Sequence, residues 1–168
     1  SVGARTFAAA LYLRQMGANA EISSTYFYEQ SGDYKAEVVF RKNLSFHPKH
    51  KEIAITFCSL DDIRDNPEVA SCDLRVAASK AADKLLTVRG IRASFALYAY
   101  SGGGREGVAI SGRSDGSVNV QQILEVFHGG GHFDSAGANL PGKSVSSVVK
   151  ALTDVVTDYF SESEEEDD

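Results

Sequence analysis

Apolar positions recur along the 168-residue chain with two periods, close to 3.6 and close to 2. Phe7, Ala10 and Leu11 fall at helical spacing together with Arg14, predicting a helix over 6–16 that Gly17 stops. Residues 21–43 read as a second helical stretch, interrupted near Ser31-Gly32. From Leu44 the period shortens. A short strand at 44–47 meets Pro48, and Ile53, Ile55 and Phe57 alternate as a half-buried strand. The stretch 59–68, SLDDIRDNPE, reads as a loop. Residues 73–86 predict a helix with Leu74, Ala77, Ala78, Ala81 and Leu85 on one face, and its alanines allow close packing onto a sheet. Ile91, Ala93, Phe95, Leu97 and Ala99 alternate up to Tyr100. Gly102-Gly103-Gly104 then turns the chain into a strand ending at Ser111.

Beyond that strand lies a small polar turn bearing Arg113. Asn119 follows as a helix N-cap with Gln122 at the third helical position, a capping-box arrangement. Val120, Ile123, Leu124 and Phe127 supply one buried stripe, and the helix ends at His128, ahead of three glycines. Residues 136–140 read as a last strand closed by Pro141-Gly142. Ser144 caps a helix carrying Val145, Val148, Val149, Leu152, Val155, Val156 and Tyr159 as its apolar stripe. The sum is an α/β fold, a mixed β-sheet flanked by helices and preceded by a helical linker segment. The division this suggests is a linker over 1–43, one domain over 44–160 and an unordered acidic tail over 161–168.

The strand, arginine turn, short helix and Gly129-Gly130-Gly131-His132 loop form one unit in which candidate chemistry concentrates. Glycines let backbone N–H groups approach an anionic ligand, although such loops are more often plain turns. Arg113 can grip a phosphate through parallel N–H donors, where the alternative is a surface ion pair. His132 can bond a phosphate or a base edge, or merely brace the loop. Ser111 and Ser114 are weaker candidates, because a serine in a turn commonly bonds its own backbone. His47 and His50 could ligate a metal, but with no third ligand close by they read as a surface hairpin.

The run GVAISGRSDGSVNVQQILEVFHGGGHFDSAGANL resembles the signature region of the DHH-associated domain, the C-terminal half of DHH-family phosphoesterases. RTFAAALYLRQMGANAEI is similar to the segment joining the two domains of that family, and VAASKAADKLLTVRGIRASFAL to the helix and strand within the second. The pieces reach from about Arg5 to Leu140. Among family branches the resemblance is greatest to bacterial cyclic-di-AMP phosphodiesterases, then to nanoRNase and bisphosphate-nucleotidase relatives. It implies a nucleotide-binding role for Arg113, Gly129, Gly130, Gly131 and His132, with Ser111 and Ser114 beside them. It also implies a partner DHH domain holding two divalent cations, usually manganese, and a substrate that is a cyclic dinucleotide or a short oligonucleotide. The sequence departs from the usual pattern at His128, where a glycine is common, and at Gly112, where alanine is.

The Asp-His-His triplet of that metal-bearing domain is not in this sequence: its four histidines, at 47, 50, 128 and 132, include no adjacent pair. The expectation is therefore a substrate-binding piece with no catalytic residues or metal of its own, inactive by itself. A non-catalytic alternative is a tRNA-binding or dimerisation domain, as in the related C-terminal part of alanyl-tRNA synthetases. The net charge of −6 weighs against it, since Glu162, Glu164, Glu165, Glu166, Asp167 and Asp168 account for all of it and leave a neutral body. No apolar run approaches the roughly 20 residues that span a bilayer. Cys58 and Cys72, without metal-ligand spacing, read as idle thiols of a reducing, cytoplasmic-side compartment, though a parent protein could be membrane-anchored and could be a homodimer.

Overall fold

The computed structural model describes residues 3–19, 31–102 and 104–166, in two compact units over 1–30 and 31–168. In the first unit, helix α1 (Ala4–Gln15) ends where expected, with Gly17 at φ +94. None of its residues is buried. The reading of 21–30 as helical lies outside the described residues.

The second unit begins with α2 (Ser31–Lys42), within the stretch read as linker, and this helix buries Ala36, Val39 and Phe40. Next come β1 (Ser45–Phe46) and β2 (Ile53–Cys58). The segment expected to be a loop is instead two short helices, α3 (Leu60–Asp65) and α4 (Pro67–Ala70). Ser59 and Asp62 close a reciprocal capping box on α3, and Pro67 opens α4, where a missing N–H costs nothing. Helix α5 (Leu74–Leu85), capped by Asp73, leads to β3 (Ala93–Gly102) and β4 (Arg105–Ser114). Helix α6 (Val120–Glu125), β5 (Gly130–His132), β6 (Ser135–Pro141) and α7 (Val145–Glu166) complete the unit. Helix α7 continues through Glu166, so the acidic run expected to be unordered from 161 is largely helical, as the helix propensity of glutamate permits.

The sheet order is β1-β2-β3-β4-β6-β5, mixed as expected, with β2 and β3 parallel and every other pair antiparallel. Helices lie on both faces. Strand β2 is therefore buried on both sides rather than half-buried. On one face the alanines of α5 and the buried side of α2 pack on Cys58 and Ala96. Two buried polar residues of that face are satisfied by helix carbonyls: Thr56 donates to Phe40 O and Ser94 to Ala82 O. On the other face α6 and α7 cover β3, β4 and β6 with Val120, Ile123, Leu124, Val148, Leu152 and Val156 over Phe95, Leu97, Val108 and Ile110.

His47 is buried, not at a surface hairpin. Its Nε2 lies 3.0 Å from Thr153 O and 3.2 Å from Thr157 Oγ1, and its Nδ1 accepts from the backbone N–H of Lys49 and His50. With Nδ1 accepting, Nε2 carries the proton and donates to α7. The histidine ties the β1–β2 connection to the last helix.

Candidate functional site

Successive residues of a strand point to opposite faces, and β6 shows the consequence. Ala136 and Ala138 are buried beneath α6 and α7, while Gly137 and Asn139 of the opposite face are exposed. Helix α5 covers β3 and reaches β4 but not β6. The uncovered strip of β4 and β6, walled by α5 on one side and the turn at 128–130 on the other, is an open groove of about 800 Å³. Its lining includes Arg75, Ser79, Tyr98, Tyr100, Ser111, Arg113, His128, Gly129, Gly130, Ser135 and Asn139. A second groove of about 810 Å³, at the start of α7, sets Asp61 and Glu106 against Lys143 and Lys150 and converges on no fixed cation.

Arg113 is not in a turn. β4 runs past the expected end at Ser111 to Ser114, because Arg113 pairs with Ser94 on one side and Ser135 on the other. Its guanidinium is held at three points. Nε donates to Asp83 Oδ1 of α5 at 3.0 Å, and Nη1 donates to Gly112 O at 2.9 Å and to Ser111 Oγ at 3.2 Å. Nη2 has no partner among the described residues, so its two hydrogens remain for a ligand. Ser111 is buried and also shares a 3.2 Å hydrogen bond with Ser79 Oγ of α5. It thereby braces the arginine. Ser114 lies one residue further and so on the other face; its Oγ accepts from Gly116 N–H, and it does not line the groove.

The glycine loop is partly a strand. Gly130, Gly131 and His132 form the edge strand β5, paired to Gly137, Ala136 and Ser135. The glycines differ in what requires them. A Cβ on Gly129 would stand 2.8 Å from Ala138 Cβ and from Leu124 O, and Gly131, at φ +152, would press on Ser135 O and Ala136. Both are demanded by the fold. A Cβ on Gly130 would meet nothing within 4 Å; it borders open groove. His132, paired with Ser135, is exposed and stands outside the groove lining. His128, with no role assigned from the motif, does line it.

The local reason for that placement is the end of α6. The Asn119 side chain accepts from Gln122 N–H, the expected cap, but the reciprocal partner of Asn119 N–H is Tyr159 Oη of α7. After Val126 the chain closes with His128 N–H on Glu125 O and Gly129 N–H on Leu124 O, and His128 takes φ +56. A non-glycine residue in this left-handed conformation costs about 1–2 kcal/mol. The turn directs the next residues alongside β6.

Among the described residues no group of three or more His, Cys, Asp or Glu side chains is gathered to hold a metal ion. Cys58 and Cys72 are free, and burial pushes the Cys58 thiol up to about 12. None of the helices among the described residues is long and apolar enough to cross a membrane.

Comparison with known proteins agrees with this fold. The profile of the DHHA1 domain matches residues 74–162, over half the chain and the whole of the groove. The chain is 35% identical over 160 residues to the cyclic-di-AMP phosphodiesterase GdpP of Geobacillus thermodenitrificans, and 35% identical over 158 residues to that of Bacillus subtilis. It is 30% identical over 158 residues to the cyclic-di-AMP phosphodiesterase PdeA of Listeria monocytogenes. Each alignment covers 94% of this chain but 22% of the relative, so the chain spans about a fifth of these proteins. Among solved structures, an exopolyphosphatase-related protein from Bacteroides fragilis superposes with a TM-score of 0.72 at 14% identity, over 94% of this chain and 44% of that one, a likeness of fold. The chain belongs to the DHHA1 domain family and is homologous to a C-terminal region of bacterial cyclic-di-AMP phosphodiesterases.

Proposed function

We propose that the groove on β4 and β6 holds the substrate of a phosphodiesterase, a cyclic dinucleotide such as cyclic-di-AMP or the linear dinucleotide derived from it. The observation that carries this reading is Arg113: a guanidinium fixed at Nε and Nη1 with Nη2 open, at the edge of a bare strip of sheet. A preorganised cation of this kind loses little freedom on binding and forms charge-assisted hydrogen bonds to phosphate. Gly130 and Gly137 leave room for a phosphodiester to lie flat against the strands. Arg75 and His128, on opposite walls, flank it, and a second cation suits a ligand with two phosphates. The relatives named cyclic-di-AMP phosphodiesterases support the same substrate class.

Hydrolysis of a phosphodiester requires a nucleophile aimed at phosphorus, and the two divalent cations that the family resemblance implies do not fit the described residues, whose carboxylates and imidazoles do not converge. We assign these residues binding and orientation only. In this reading a DHH domain acting with the chain supplies the reacting centre.

Calorimetric titration with cyclic-di-AMP, the linear diadenylate pApA and AMP tests the proposal. The chain is expected to bind a dinucleotide more tightly than AMP, and Arg113→Ala to weaken that binding at least about tenfold, the loss of one charge-assisted contact. Absence of binding by the unaltered chain, or binding indifferent to Arg113→Ala, would overturn it.

A further inference from the structure

The face that carries Arg113 presents different chemistry at its other end. In the strand register Tyr98, Ala109 and Asn139 form one row across β3, β4 and β6, with Tyr100 and Gly107 in the next. Ala109 is four residues from Arg113 along β4, roughly 13 Å at the rise of an extended strand. That separation is of the order of a nucleotide's length. The two ends of the groove can therefore serve phosphate and base.

Asn139 is not an ordinary surface amide. Tyr100 Oη donates to Asn139 Oδ1 at 2.8 Å although β4 lies between their strands. The residue that would block this reach is Gly107, where a Cβ would stand 2.6 Å from Tyr100 Oη. The phenol lies across bare backbone and fixes which way the amide turns. With Oδ1 engaged by the hydroxyl, the amide keeps two N–H donors and one carbonyl lone pair, side by side.

We infer that Asn139, oriented by Tyr100 across Gly107, reads the base of the nucleotide held in the groove and favours adenine over guanine. The inference rests on the proposed nucleotide site. An oriented amide complements a base edge that sets an acceptor beside a donor. Adenine does so on both edges, N7 with N6–H and N1 with N6–H, whereas the N7/O6 edge of guanine offers two acceptors and sets O6 against Oδ1. Guanine matches through O6 with N1–H and, beside the sugar, through N3 with N2–H, but not on its N7 edge. Of the two edges remote from the sugar, adenine therefore matches on both and guanine on one. Tyr100 is a positioning residue here and Asn139 the specificity-determining one.

The test is the ratio of affinities for cyclic-di-AMP and cyclic-di-GMP, measured calorimetrically on the full chain. The unaltered chain is expected to prefer the adenine ligand about tenfold or more, in line with one discriminating amide contact. Asn139→Ala should bring the two ligands to within about twofold, and Tyr100→Phe should cut the preference by about half its logarithm, since the amide is retained but freed. Asn139→Asp, which removes the N–H donors at nearly constant shape, should also abolish it. A preference retained in Asn139→Ala, or no adenine preference at the outset, overturns the inference while leaving the groove as a nucleotide site. Failure of the unaltered chain to bind either ligand overturns the underlying reading instead.

Discussion

The two faces of the sheet are built differently, and the difference leaves the proposed groove open. On one face, large aliphatic side chains from α6 and α7 meet Phe95, Leu97, Val108 and Ile110 in a closed core that extends to Ala136 and Ala138 of β6. On the other, α2 lies against β2, and α5 brings alanines that let it sit close to β3 and β4. Gly137 and Asn139 are left uncovered in consequence. A strand shared by both faces thus has one side packed in the core and the other bordering the open groove. Changes on the closed face should cost folding free energy, and changes on the open face should cost affinity.

The sharpest way to break that contrast is a cavity on the closed face. Leu152 is fully buried in α7, and Leu152→Ala should cost about 3 kcal/mol, lowering the melting temperature by roughly 10 °C. Thermal unfolding followed by circular dichroism would show it, and dinucleotide affinity measured well below the transition should stay within about twofold. Next in size is Arg113→Ala: its Asp83 partner is exposed, so stability should move by less than about 1 kcal/mol while affinity falls as stated above. His128→Gly should do the reverse of a typical glycine substitution. Relief of the φ +56 backbone outweighs the extra freedom of the unfolded chain, and urea unfolding should show a gain of about 0.5–1 kcal/mol.

The smallest effect belongs to the α2–α5 contact. The hydrogen bond from Lys84 holds the Glu37 carboxyl below its ordinary value of 4.5, partial desolvation opposes this, and Arg41 adds to the lowering. A depressed folded value means stability that is present above 4.5 and lost as the pH falls through the folded value. Glu37→Gln should therefore cost about 0.5 kcal/mol at neutral pH, after allowance for solvent screening, and nothing in acid. Urea midpoints measured at both pH values separate this from a packing loss, which would persist in acid.

Much of this architecture was legible from periodicity, because the elements that carry it are long. The stripe of α7 and the alanine face of α5 each report burial against one surface, while β3, buried on both faces, alternates large apolar residues with small ones. Short elements were harder. The helices at 60–65 and 67–70 have no room for a periodic pattern, and their signals were local: Ser59 with Asp62, and Pro67 at a first turn. Gly130 to His132 reads as a loop because two of its three residues are glycine and leave no pattern; pairing with β6 alone defines it. At the site, the sequence pointed to Arg113, Ser111, Gly129 and Gly130 through the motif. Tyr98, Tyr100 and Asn139 reach the groove only through strand register, which no linear spacing reveals. Ser114 was misdirected for the same reason: one residue along a strand reverses the face.

The most direct test of the account is a backbone amide map of the isotopically labelled chain titrated with cyclic-di-AMP. The account predicts perturbations concentrated at residues 109–113, 128–131 and 135–139 and at the wall of α5 near Ser79, with the core-facing turns of α7 unmoved. Perturbations centred on the groove at Lys143 and Lys150, or none at saturating ligand, would contradict it.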